Sequence, residues 1–178
     1  MEYFLVSPHP DYIDAPQLRN INDLLNSNHF YYDQSYDMPM RTVIQLHPNE
    51  HMDFTDYLFQ AVPLISKEAM TVIWRFDDDY VQKEIILFDQ KNGLDKLYYL
   101  PFFPRFPRSV VAEPKNIISI GTPDVIPELT IPYTLPVFYV VWEVKCLLFM
   151  RLDVVESLLR NGVRGILLRE ANVSVREG

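Results

Sequence analysis

The sequence predicts an α+β fold of mostly antiparallel strands, with a few short helices and a C-terminal strand-helix-strand unit. Three observations predict it. Short β-branched and aromatic runs recur along the chain, bounded by 14 prolines and by Asn/Asp turns. Only the stretches following Ser66 and Asp153 show a full helical spacing of apolar residues. The Asn92-Gly93 pair separates two apolar runs, a strong hairpin signal that makes those strands antiparallel. At 178 residues the chain is long enough to bury a core without disulfides. It reads as a single domain over 1–178, with an acidic, loop-rich part over 1–60 and an α+β core over 61–178.

Each element has a local reason. Tyr3–Val6 is a short apolar run and reads as an opening strand. Residues 8–40 carry Pro8, Pro10, Pro16 and Pro39 among many Asn and Asp, so they read as loop with one short helix near Leu18–Leu25. The β-branched run from Arg41 to Leu46 ends at His47-Pro48 and reads as a strand, as does Tyr57–Val62. Ser66 is a good helix N-cap, and Ala69, Val72 and Ile73 follow at helical spacing. Val81–Phe88 and Leu97–Phe103 form the arms of the hairpin, which Pro101, Pro104 and Pro107 are expected to end. Ile117–Ile120 reads as a strand between Pro114 and Pro123, and residues 126–132 as a proline-flanked loop. Val137–Trp142 and Lys145–Met150 are apolar and β-rich. Val154, Val155, Leu158 and Leu159 then mark a helix that stops at Gly162, and the strand Gly165–Leu168 follows.

Composition excludes several function classes. Glycine is scarce, at 5 residues, and neither GxGxxG nor GxxxxGK[ST] occurs, so no phosphate-cradling loop is expected. The single cysteine, Cys146, rules out an intrachain disulfide and Cys-rich zinc sites. The net charge is −8, which argues against nucleic acid as a partner. Residues 1–60 hold nine carboxylates against Arg19 and Arg41, a net of −7, and this asymmetry points to a basic partner. The start MEYFLVSPHP lacks the features of a signal peptide. The apolar stretch from Leu135 to Met150 is too short and too charged to span a membrane, so the expected location is cytoplasmic.

Candidate chemistry is sparse. His47-Pro48-Asn49-Glu50-His51 spells H-x-x-E-H, which in metalloproteases sets two histidines on one helical face around zinc. Pro48 works against that helix, and a third ligand such as Glu128 is far away, so no metal or cofactor is expected. Asp77-Asp78-Asp79 reads as a solvated turn, and Cys146 as a buried core residue. The segment HFYYDQSYD is different: it interleaves aromatics with carboxylates. It is either a protein-binding surface, with Tyr31, Tyr32, Asp33, Tyr36 and Asp37 as contact residues, or a loop whose rings fold back onto the core.

PLISKEAMTVI, a proline-flanked apolar residue before a Ser-capped helix, and LLFMRLDVVESLLRNGVRGILL, a strand, helix, Gly and strand, carry a resemblance. With the opening Tyr3-Phe4-Leu5, they resemble the Myxococcus-type immunity domain of bacterial polymorphic toxin systems. The chain departs from that pattern at the closing helix, where Arg151 or Asp153 stands in place of a Ser or Thr cap. The resemblance implies a non-enzymatic immunity protein that binds and neutralises a cognate toxin. The alternatives are a small metal-dependent hydrolase using His47, Glu50 and His51, and a structural or regulatory module.

Overall fold

The computed structural model describes residues 1–24, 30, 34–110, 128–142 and 145–176. The most continuous apolar runs of the sequence become the central strands, because such runs can be buried on both faces. These are β1 (Tyr3–Pro8), β9 (Val137–Trp142) and β10 (Lys145–Arg151). With β7 (Arg105–Phe106) and β11 (Ile166–Ala171) they form a five-stranded sheet ordered β11-β1-β10-β9-β7. Alternate residues point to opposite faces. Val6, Tyr139, Cys146, Leu148 and Met150 join one apolar core. Tyr3, Leu5, Phe138, Val140 and Phe149 join a second, which also holds Leu129 and Ile131. Those two residues belong to β8 (Leu129–Ile131), which pairs in parallel with β12 (Val173–Val175).

A second five-stranded sheet is ordered β2-β5-β6-β4-β3. It comprises β2 (Arg41–Gln45), β3 (Tyr57–Phe59), β4 (Pro63–Ser66), β5 (Val81–Asp89) and β6 (Leu94–Phe102). Its Ile44, Leu64, Ile85, Leu87 and Tyr98 share the larger core with the first sheet. The β5–β6 hairpin forms where Asn92-Gly93 places it, and the Asp89 carboxylate secures the turn. It accepts from the Lys91 N–H at 3.0 Å and from the Asn92 side-chain amide at 2.6 Å. Among the described residues six strand pairings are antiparallel and three parallel, so the α+β fold holds.

The helices are short. α1 spans Ile21–Leu24 and α2 Lys67–Ile73. The Ser66 hydroxyl caps α2, accepting from the Ala69 N–H at 3.1 Å. α3, Leu152–Arg160, buries Val154, Val155 and Leu158, each contributing roughly 1.5–3 kcal/mol by burial. Arg151 occupies its N-cap without a side-chain cap bond, and Asp153 instead pairs with Arg151 at 2.7 Å. The helix ends in a Schellman motif: Gly162 has φ +75°, its N–H reaches Leu159 O, and the Val163 N–H reaches Leu158 O.

Two expectations need correction. Pro101 does not end the hairpin but lies inside β6, opposite Gln82. β4 flanks β6 only at Tyr98 and Tyr99, so β6 has one neighbour at Pro101 and the missing N–H disrupts no ladder. Residues 129–131 are a strand rather than loop, held by β12. The expected C-terminal strand-helix-strand unit forms as β10, α3 and β11, with β1 inserted between its two strands and antiparallel to both. The strand expected at Ile117–Ile120 lies outside the described residues.

Candidate functional site

After β1 the chain turns through a proline-bounded loop whose backbone bonds reach distant segments. The His9 N–H donates to Gly165 O at 3.0 Å, and the Asp53 N–H to Asp14 O at 3.0 Å. Asp56 fastens the far side. Its N–H donates to Arg164 O at 3.0 Å, while its carboxylate accepts from the Arg164 N–H at 2.7 Å and from the Ser66 hydroxyl at 2.5 Å. Gly165 makes the close approach possible: at φ +78°, a Cβ there would sit 2.3 Å from Thr55 Cβ.

These bonds frame an open groove of about 530 Å³. Asp11, Ile13 and Asp14 come from the loop, Asp53 from the segment before β3, and Leu159 and Arg164 from the end of α3 and beyond. Val163 and Ile166 add apolar surface. Ile13 is 83% exposed and Leu159 52%, so two large apolar side chains lie open to solvent beside three carboxylates. The Arg164 guanidinium is 3.6 Å from the Asp53 carboxylate. The His9 Nδ1 is 3.8 Å from Asp11 and accepts from the Asp11 N–H at 3.3 Å. A groove of this make-up can bind a cationic chain with an apolar neighbour.

The sequence pointed to the acidic N-terminal third but not to this groove. Ile13 was one apolar residue in a polar loop, and Leu159 counted with the apolar face of its helix. Leu158 turns inward, whereas Leu159 faces out. The local signal is an isoleucine within Asp11-Tyr12-Ile13-Asp14 with nothing periodic around it.

The expected contact residues divide. Tyr36 and Asp37 lie on a 3₁₀ turn, Ser35–Asp37, and both are exposed, Tyr36 at 78%. Tyr31, Tyr32 and Asp33 lie outside the described residues. Phe30, from the same segment, is fully buried against Phe102 and Tyr139, with the Arg105 guanidinium 4.5 Å from its ring centre. One ring of the segment therefore folds into the core while another faces solvent.

His47, Glu50 and His51 are all exposed and lie in irregular backbone, where the His51 N–H donates to Asn49 Oδ1 at 3.3 Å. The helical face that H-x-x-E-H chemistry requires is not formed there. Among the described residues no three His, Cys, Asp or Glu side chains are grouped to hold a metal ion. Glu128 accepts from the Asn172 side-chain amide at 3.3 Å, on the β8–β12 ribbon. Asp77 accepts from the Asp79 N–H at 3.1 Å, a turn open to solvent at Asp78 and Asp79. Cys146 is buried, and that burial pushes its thiol up to about 11. No helix among the described residues is long and apolar enough to cross a membrane. Comparison with known proteins gives no matching family model and no matching curated protein.

Proposed function

We propose that this chain is a non-enzymatic immunity protein that meets a cognate bacterial toxin in the cytoplasm and masks it by binding. The observation that carries the reading is the groove, where Asp11, Asp14 and Asp53 stand beside the exposed Ile13 and Leu159. The net charge of −7 in residues 1–60 supports a basic partner, since complementary charge accelerates encounter and selects against wrong partners. Exposed apolar anchors ringed by polar groups suit a protein interface. The Tyr36–Asp37 turn offers a second exposed contact of similar chemistry. A hydrolase built on His47, Glu50 and His51 has no such support, because the three residues share no helical face.

The test is co-expression with the product of the adjacent reading frame. Relief of that product's toxicity, with both chains co-purifying as a salt-sensitive complex, is the expected result. A neighbour that is not toxic, or whose toxicity persists in the presence of this protein, rejects the reading.

A further inference from the structure

Resting on that reading, we infer that the groove takes an extended basic segment of the partner, and that Arg164 occupies the place of that segment's cation in the free protein. The charge pattern favours this occupant. Three carboxylates line the groove, and among the described residues Arg164 is its single permanent cation, paired with Asp53 at 3.6 Å. The Arg164 side chain is 60% exposed, so the pair is weak and exchangeable with another guanidinium or ammonium group.

The geometry separates the two roles of residue 164. Its backbone N–H and carbonyl hold the wall of the groove through Asp56. Its side chain pairs with Asp53 and is 60% exposed, so its removal leaves the backbone bonds of the wall in place. The walls are preorganised by the His9–Gly165 and Asp53–Asp14 backbone bonds, which lowers the ordering cost of binding. Ile13 and Leu159 give an apolar side chain of the incoming segment somewhere to rest.

The test uses the full chain and a fluorescein-labelled peptide, Gly-Arg-Leu-Arg-Leu-Gly, followed by anisotropy at low salt and by amide shift mapping. The expected shifts concentrate at residues 9–14, 53 and 159–166. Arg164→Ala is expected to tighten binding about two- to fivefold, the size of one exposed ion pair released. Asp14→Asn with Asp53→Asn is expected to weaken it about tenfold. A peptide with Glu in place of Arg should not bind. Unchanged or weaker binding by Arg164→Ala overturns the stand-in role. Shifts centred on Tyr36 and Asp37, or no binding by the basic peptide, overturn the groove assignment. Relief of toxicity on co-expression is a separate readout, so toxin binding can survive the loss of this site.

Discussion

Replacing Gly165 with alanine probes the close approach of this groove residue to Thr55. Two costs add at this position. The backbone sits at φ +78°, where an L-residue loses about 1–2 kcal/mol relative to glycine. The new Cβ would also lie 2.3 Å from Thr55 Cβ and 2.5 Å from Thr55 Cγ2. Thr55 is buried, and its neighbourhood is fixed by the Tyr98 hydroxyl, which donates to Thr55 O. Relieving such an overlap costs about 1–3 kcal/mol. The expected loss is therefore about 2–5 kcal/mol. Gly162 is the natural control: it has φ +75°, but a methyl added there would meet nothing within 4 Å. Gly162→Ala should cost only the backbone share of about 1–2 kcal/mol. Urea unfolding followed by circular dichroism reads the difference, with a slope of about 2 kcal/mol/M. Gly165→Ala should lower the midpoint by roughly 1–2.5 M and Gly162→Ala by less than about 1 M. In a Thr55→Gly background the cost of Gly165→Ala should shrink toward the Gly162→Ala value. Equal midpoints for the two alanine variants would refute the argument that Thr55 packs too closely on Gly165 to admit a methyl group.

Ser66→Ala removes a helix cap and one donor to the buried Asp56 carboxylate, so it should cost about 2–4 kcal/mol. Calorimetry showing a loss below about 0.5 kcal/mol would contradict the shared role. The Cys146 thiol, raised to about 11 by burial, should react with a thiol reagent far more slowly in native than in unfolded protein, and equal rates would place it at the surface. Asp89 is held below its ordinary 3.8, chiefly by the Asn92 side chain, and Asp153 likewise, chiefly by Arg151. Both carboxyls have lower pKa values folded than unfolded. Their stabilisation is therefore complete above 3.8 and is lost as pH falls through the depressed values. Asp153→Asn should flatten the acid limb of urea midpoint against pH, and an unchanged limb would remove Asp153 from that account. Asp37→Lys, at an exposed turn, should leave stability within about 0.5 kcal/mol and slow association with the proposed toxin partner in stopped flow, most at low salt. An unchanged association rate would take this turn out of the interface.

The elements legible in the sequence are those whose signals are local. Ser66 before a helically spaced run makes a capped helix from torsions and bonds within one turn. Asn92-Gly93 makes a hairpin for the same reason, and the unbroken apolar runs of β9 and β10 announced strands buried on both faces. The burial of Cys146 followed from its place in such a run. Whatever depends on distant partners came from the packed fold instead. β4, β7, β8 and β12 are two to four residues long, too short for a period to register, and each exists because another strand supplies its ladder. Nothing near residue 3 tells β1 to lie between β10 and β11, since that choice comes from burying Val6 and Leu5 on opposite faces of a sheet in which the strands flanking β1 begin at Lys145 and Ile166. The groove belongs to the same class. Ile13 and Leu159 are ordinary apolar residues in sequence, and become an exposed pair beside Asp11, Asp14 and Asp53 because backbone bonds join loop 9–14 to Gly165. Spacing within the chain encodes torsions and faces, whereas the convergence of segments far apart in the chain is fixed only by the free energy of the whole packed core.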